Sequence, residues 1–415
     1  MSKIIVISQE LLLEPIIRYD QLFPRTVDEF LEIFQGVIDL DIETGITLDF
    51  IINPRESEFK IVPKLKLAEP KHAKDIVAIF EDVYDHSYPF KDFLDKEKVA
   101  AMIKSTEYNF ILFMVNKEIE GCFKCFLDFE HRKGYIGALM VKKKYQGILD
   151  FTKAIIGSSY WAFSIYREVI DVWYCENRTA HASSQYSTGV CGLNTLAIFP
   201  NKDVFYNQIE SDVLCVNYSE NALDDLRKLG KPKLIRDVLE CYMHSDGIYN
   251  LGEFEIIEPH ISIDFKKVQE LRGKFRMDII ADKYGYEYFQ CFIGGTNSYF
   301  LFLHTTTVQN FEKVKYHVES LEELYIYLAE LKRCMFQKSV RYIEIFVSAY
   351  KPEDQQLLYN FGFRARGYTP AWSYNKVTGE FEDQIVFNYY QGEVANIELL
   401  PQGWELVHLL NIKVK

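Results

Sequence analysis

Chemistry in this chain has to come from a few polar clusters set among long apolar runs. The densest is Cys175-Glu-Asn-Arg-Thr-Ala-His181, which follows the strand-like run Val169 to Cys175. His181 has the unperturbed pKa suited to moving a proton near neutrality, and Glu176 is a carboxylate beside it. A second cluster, Val141-Lys-Lys-Lys-Tyr-Gln-Gly-Ile148, stands where an apolar strand gives way to a basic loop and then a helix. Lys142, Lys143 and Lys144 make that loop cationic, and Gly147 is the residue type needed where a phosphate approaches the backbone closely. Asp128, Glu130, His131 and Arg132 occupy a turn before the strand Tyr135 to Val141 and read as a solvated hairpin that would border a pocket. Cys122-Phe-Lys-Cys125 has metal-type spacing, but on a strand those two thiols point to opposite faces and no second pair accompanies them, so no metal is expected. The sequence holds no P-loop motif, no nucleophile elbow and no HExxH.

The elements that would position these clusters follow from periodicity and turn residues. Residues 1–60 form an amino-terminal extension: a strand, a helix over Val27 to Phe34, and an alternating run from Ile46 to Ile52 that ends at Asn53-Pro54. Then come a strand Ile61 to Leu67, a helix Pro70 to Tyr84, and a second helix around Asp92 to Ile103. Strands follow at Phe110 to Val115, Glu118 to Phe129 and Tyr135 to Val141. After the basic loop a long helix runs to about Tyr166, followed by the strand Val169 to Cys175, a short helix, and strands Leu193 to Phe199 and Val213 to Tyr218. Interleaved helices and strands in this order give an α+β domain with a mixed sheet over 61–218. The charged stretch Glu220 to His244 reads as a helical connector within 219–249, and 250–415 as a second domain. His260 to Asp264 alternates as a strand would, and Gly294-Gly295 reads as a hairpin turn.

The chain's 415 residues exceed what one core usually supports, which favours two domains, and an apolar content of 48% gives each a core. A net charge of −13 argues against nucleic acid as a partner and suits a cationic one. The amino terminus carries no cleavage site, and no run is long enough to span a membrane. Eight cysteines, several inside apolar strand-like runs, suit free thiols in a reducing compartment, so a cytoplasmic protein without disulfides is expected.

An internal repeat links the two halves. Laid over one another without a gap at a shift of 170 residues, His181 to Pro200 and Lys351 to Pro370 match Gln185 to Gln355, Gly192 to Gly362 and Pro200 to Pro370. The same shift lays Val169 to Cys175 on Ser339 to Ile345, and the helix from Leu149 on Glu319 to Arg333.

The run Tyr342-Ile-Glu-Ile-Phe-Val347, Gln355-Gln-Leu-Leu-Tyr-Asn-Phe-Gly-Phe363 and Arg366-Gly-Tyr-Thr-Pro370 resembles the closing part of the fold shared by the GNAT superfamily of N-acetyltransferases. Leu67-Ala-Glu-Pro-Lys-His-Ala-Lys-Asp-Ile-Val-Ala-Ile79 looks like that family's opening strand and helix. The resemblance implies two tandem acetyltransferase-like domains, with acetyl-CoA or another acyl-CoA as co-substrate in the first. The pyrophosphate would lie in a nest of backbone amides spanning Met140, Val141, Lys142, Lys143, Lys144, Tyr145, Gln146, Gly147 and Ile148, completed by the start of the next helix. Gln146 and Gly147 match the first two places of the family's loop pattern, whereas Leu149 and Phe151 stand where it has small residues. In the second copy Val308 to His317 is the matching region and has no glycine, which implies no coenzyme A there. The resemblance further implies direct attack of an amine on the thioester, with Met140 or Val141 polarising the carbonyl, Glu176 or His181 as base and Tyr186 as acid. The acceptor would be a small-molecule or protein amine, the second copy one wall of its cleft, and a homodimer is compatible. The alternative that Leu149 and Phe151 favour is a degenerate fold that binds a ligand or protein without turnover.

Overall fold

In the computed structural model, residues 15–52 and 60–415 are described. The strand expected at the chain's start, the stretch Met1 to Glu10 and the break at Asn53-Pro54 lie outside the described residues.

The extension contains α1 (Val27–Phe34), at the predicted bounds, its first turn capped by Thr26, whose hydroxyl accepts from the Glu29 amide at 3.1 Å. Residues 46–52 are not a strand. Ile46 and Ile51 make only isolated bridges, to Leu65 and Ile16. The first copy of the fold runs β1 (Lys64–Leu67), α2 (Ala73–Tyr84), α3 (Lys96–Lys104), β2 (Tyr108–Val115), β3 (Glu118–Asp128), β4 (Lys133–Val141), α4 (Phe151–Ile165), β5 (Val172–Arg178), α5 (Ser183–Gly189), β6 (Asn194–Phe205) and β7 (Gln208–Tyr218). The connector holds α6 (Glu220–Leu223), β8 (Lys233–Leu234), α7 (Leu239–Tyr249) and β9 (Glu255–Ile256), so it is less helical than its charge pattern suggested. The second copy runs α8 (Phe265–Arg272), β10 (Phe275–Ala281), β11 (Tyr286–Ile293), β12 (Tyr299–Thr305), β13 (Asn310–His317), α9 (Leu321–Lys338), β14 (Tyr342–Ser348), α10 (Pro352–Asn360), β15 (Arg364–Asn375) and β16 (Glu380–Tyr390), and α11 (Pro401–Leu409) follows.

All strands but β8 and β9 join one sheet of 14 strands, ordered β1-β2-β3-β4-β5-β7-β6-β15-β16-β14-β13-β12-β11-β10. Read inward from either end the order is the same, so the sheet is two copies of one layout meeting at β6 and β15. The shift of 170 read from the sequence superimposes the starts of α4 and α9, β5 and β14, and β6 and β15. The matched glutamines do the same work. Gln185 donates to Arg178 O at 3.4 Å and Glu398 O at 2.9 Å and accepts from the Leu400 amide at 3.2 Å. Gln355 donates to Ser348 O at 3.1 Å and Lys233 O at 3.0 Å and accepts from the Ile235 amide at 3.1 Å. Each ties the end of a β5-type strand to an arm from elsewhere in the chain. Gly192 and Gly362 both take the left-handed conformation, at φ 84° and 86°, that ends the short helix before the next strand.

The arms are exchanged. The connector arm, with Leu234, Ile235, Val238 and Tyr242, packs into the second core, whereas Val394, Leu399, Leu406 and Ile412 of the carboxy-terminal tail return to the first. Sequence order had counted that tail with the second domain. Helix α4 is apolar on nearly every side because the sheet covers one face and the extension the other. Phe30 meets Phe163 at 5.5 Å between ring centroids, and Gly157 leaves space that Leu48 fills.

Several bounds differ from the sequence reading. Strand β5 begins three residues later than Val169, β4 begins at Lys133, and β6 extends through charged residues to Phe205. The alternation at His260 to Asp264 is an extended segment outside the sheet, with Ile261 and Ile263 laid on the second core. Gly294 and Gly295 stand, as read, in the turn between β11 and β12. The eight cysteines are free and buried, and Cys122 and Cys125 lie in different cores on opposite faces of the sheet. Among the described residues no helix is long and apolar enough to cross a membrane, and no cluster of His, Cys, Asp and Glu could hold a metal ion.

Candidate functional site

Two parallel strand pairs in the sheet come apart as they run. β4 and β5 are paired only from Lys133 and Val172 to Tyr135 and Tyr174, after which β4 continues to Val141 and β5 to Arg178 without a shared ladder. β13 and β14 are paired only at Asn310–Tyr342 and Phe311–Ile343 before they part. A bulge marks the parting strand in each copy, with Ala138 at φ 50° in β4 and Lys313 at φ 53° in β13. Both gaps open on one cleft of about 1540 Å³ lined by the two copies. Across it, the β10–β11 hairpin reaches the first copy: Tyr286 donates to Asp92 at 2.8 Å, Tyr284 to Asp95 at 3.0 Å, and Lys283 pairs with Asp95 at 2.9 Å. Those contacts hold Asp95 well below the usual carboxylate range, the lysine first.

The floor of the cleft is a cluster of buried charge that sequence reasoning missed. Lys202 is 1% exposed at its side chain and lies 2.9 Å from Glu176, 2.9 Å from Glu344 and 3.8 Å from Glu312. Burial works against its charge, but the three carboxylates outweigh burial and keep it protonated, well above its ordinary pKa. Asp203 and Asp212 complete the group, with Asn310 donating to Asp203 at 3.4 Å. Carboxylates outnumber cations here, so some hold protons near neutrality. Burial and then Glu176 push Asp212 up to about 7. Glu344 is likewise pushed up to about 7, by burial first, with Glu176 adding to it against the pull of Lys202. The signal available in the sequence is the pair of opposite charges Lys202-Asp203, which follows the apolar run Leu193 to Phe199 after only Pro200 and Asn201.

These shifts carry a pH prediction. A carboxyl held above its unfolded value gives its full contribution to stability below that value and loses it as pH rises through the folded one. Asp212→Asn is therefore expected to gain on the parent chain as pH climbs from about 4 to about 7, levelling by about 8, by roughly 2–4 kcal/mol. Urea midpoints measured across that range check this, and a difference that stays flat contradicts it.

The upper walls carry aromatic rings and lysines. Tyr135 and Tyr174 lie 5.2 Å apart between centroids, Tyr174 meets Trp372 at 5.1 Å, and Trp372 stacks on Phe346. Lys133 holds its ammonium 3.6 Å from the Trp372 centroid, and Lys124 lies over Phe93 and Tyr135 at 4.5 and 5.1 Å. Burial pulls Lys124 down to about 8 and Lys133 well below its ordinary value.

Of the candidates named from sequence, Glu176 lies inside β5, on the cleft floor, rather than beyond the strand. His181 also lines the cleft, 2.8 Å from the Ser183 hydroxyl. Tyr186 is turned toward the extension, packed edge-on to Phe23 at 5.6 Å, and is not on the cleft wall. Asp128 and His131 border the cleft 2.8 Å from each other, while Arg132 pairs with Asp171 and Glu130 with Lys376.

In the loop, Met140, Val141, Tyr145, Gln146 and Gly147 face the cleft, but the lysines and Ile148 do not. Glu120 takes Lys142 at 3.1 Å and Lys144 at 2.8 Å, and Asp85 takes Lys143 at 2.5 Å. The Lys143 amide donates to Asp82, and the amides of Tyr145, Gln146, Ile148, Leu149 and Asp150 donate to backbone carbonyls, that of Asp150 to Ile61 of the incoming chain. The Asp150 carboxylate caps α4, accepting from Lys153 at 3.1 Å, and so places a negative charge where an anion was expected. The amide nest drawn from the sequence is thus largely closed by the protein's own acceptors. What fits a phosphate is Gly147, at φ 77° with no heavy atom within 4 Å of a Cβ position. In the second copy the counterpart of this loop is Val318 to Ser320, not Val308 to His317, which is β13 and its approach. There Glu323 accepts from the Glu319 amide at 2.7 Å, so a carboxylate again occupies the helix start.

No family model matches the sequence, and no curated protein does. Solved structures do match. The microcin self-immunity acetyltransferase MccE, in complex with acetyl-CoA and AMP, is 14% identical over 37% of this chain and 91% of its own, with a TM-score of 0.30. The dodecameric spermidine N-acetyltransferase from Vibrio cholerae is 13% identical over 39% of this chain and 97% of its own, TM-score 0.33. RimL, a ribosomal alpha-N-protein acetyltransferase in complex with coenzyme A, is 10% identical over 39% of this chain and 97% of its own, TM-score 0.32. By its own strand order the chain is an α+β sheet laid out twice, and the solved structures it is similar to are acetyltransferases of the GNAT superfamily.

Proposed function

We propose that the chain is an acyl-CoA-dependent N-acyltransferase whose acceptor amine lies in the cleft between the copies. The observation that carries the reading is the parting of β4 from β5 beyond Tyr135, which frees one edge of β4 to face a cleft floored by carboxylates. Bound acyl-CoA would supply an activated thioester. Gly147 is the residue that would hold its phosphates, and the freed β4 backbone up to Met140 and Val141 would donate to the thioester carbonyl. Glu176 is committed to Lys202 and positions it, whereas Asp212 is the carboxyl suited to take the proton of the attacking ammonium, being in the cleft with a pKa near the working pH. His181 also lines the cleft and is a second acceptor.

Acetyl-CoA at ~100 times its dissociation constant is expected to stabilise the chain by roughly 2.7 kcal/mol in thermal denaturation. Glu120→Gln, which releases Lys142 and Lys144 from their shared carboxylate, is expected to enlarge that shift at a fixed sub-saturating concentration. With an accepted amine, Asp212→Asn is expected to slow coenzyme A release about 10²–10⁴-fold. If millimolar acetyl-CoA moves neither the parent nor Glu120→Gln, the engaged loop amides and the Asp150 cap prevail, and the cleft binds its ligand without acyl transfer.

A further inference from the structure

The cleft separates its charges. On the floor, Lys202 is surrounded by carboxylates, and Asp212, 2% exposed, keeps one carboxylate oxygen, Oδ1, with no hydrogen-bond partner. The walls carry both signs, but there Asp92 accepts from Tyr286 at 2.8 Å and Asp128 lies 2.8 Å from His131, whereas the lysines are unpaired among the described residues. Lys124, Lys133, Lys313 and Lys315 all border the cleft, two from each copy, and none of them makes an ion pair or side-chain hydrogen bond with a described residue. Lys124 is the telling case, 7% exposed with only the faces of Phe93 and Tyr135 beneath its ammonium. Leaving a buried ammonium without an anion is costly, and so is leaving a buried carboxylate oxygen without a donor. The two deficits are of opposite sign and share one space. Lys124 pairs in register with Gly137 on β4, across the opened gap from Glu176 on β5, which is at least two strand spacings, about 10 Å. Lys133 lies four residues before the level of Glu176 along the parallel pair, about 13 Å away. Between them run the rings of Tyr135 and Tyr174, a surface for an apolar spacer.

We propose that the ligand of this cleft is amphoteric: its ammonium end is received by Asp212 and the carboxylates around Lys202, and an anionic group at its other end by Lys124 and Lys133. This rests on the cleft being the acceptor site. Its test contains no acyl-CoA, so failure here leaves the transferase reading standing, and failure of acetyl-CoA to bind leaves this one standing.

The test is isothermal titration of the full chain with 8-aminooctanoate, 7-aminoheptylphosphonate, octylamine, octanoate and 1,8-diaminooctane. One or both of the amphoteric probes should bind at least tenfold more tightly than octylamine and octanoate, the tighter of the two telling carboxylate from phosphonate recognition. Lys124→Gln should reduce them to the level of octylamine while octylamine itself binds as before, which also shows that the variant is folded. Asp212→Asn should reduce them to the level of octanoate. Binding of the diamine or of octylamine as tight as that of the amphoteric probes overturns the proposal, as does binding by none of the five.

Discussion

Replacing Lys202 by methionine is expected to destabilise the chain by about 3–5 kcal/mol near neutral pH, the usual result of removing one partner from a buried ion pair. Glu176 and Glu344 would then face each other across the junction of the copies without the ammonium that now lies 2.9 Å from each. Burial already pushes Glu344 up to about 7, so without the lysine these carboxyls would bind protons rather than remain charged. The loss should therefore be smaller at about pH 5 than at about pH 8, because protonation removes the repulsion at the lower value. Adding Glu344→Gln to the lysine variant should restore part of the stability, since it removes one of the uncompensated groups. Urea denaturation at both pH values reads all of this. A loss independent of pH, or no recovery in the double variant, would show that Lys202 acts through its packing on Phe199, 4.4 Å from the ring centroid, and not through its charge.

The second large effect is expected at the seam of the sheet. β6 and β15 are paired in register at a single position, Gly367 opposite Ala197. A Cβ at 367 would stand 2.3 Å from the Ala197 Cβ and 2.4 Å from the Leu196 carbonyl oxygen. Neither is the end of a flexible side chain, so the strands themselves would have to move apart. Gly367→Ala is expected to cost about 3 kcal/mol, at the upper end of what overpacking produces, and to lower the thermal midpoint by several degrees. Gly230, which has open space around a Cβ but a left-handed φ, makes a poor control, whereas Gly247, with open space in a helix, makes a good one. Ala197→Gly in the same chain should return part of the loss, because it removes the Cβ clash and leaves those with the Leu196 carbonyl oxygen and the Ala197 Cα, at 2.6 Å. If Gly367→Ala is as stable as Gly247→Ala, the seam is not tightly closed.

The sequence made the scaffold readable and concealed the cleft for one physical reason. Helix α1 was legible because one face of it is buried in an apolar core, and strand β3 because both of its faces are, and the shift of 170 survived because both copies bury the same helix against the same strands. Strand ends that border the cleft carry charge on the face that elsewhere would be apolar. Glu176 and Arg178 in β5, Lys202 and Asp203 in β6, and Lys133 at the head of β4 therefore looked like loops, and each strand was drawn short or displaced on that side. Local rules fail where a site is built, and the charged ends of β4, β5 and β6 are such places. The loop at Val141 to Ile148 departs from its letters in the other direction. Its letters describe an anion site, but Glu120, Asp82 and Asp150 come from positions that no local pattern connects to it.

The crossing of the two arms means that neither half is a separable piece of protein. A chain cut after β7 would keep the whole sheet of the first copy and lose the residues from Val394 to Ile412 that complete its interior, and Gln185 would have no Glu398 or Leu400 to grip. The halves hold each other as two clasped hands do, and the segment that finishes the first copy follows the whole sheet of the second in the chain.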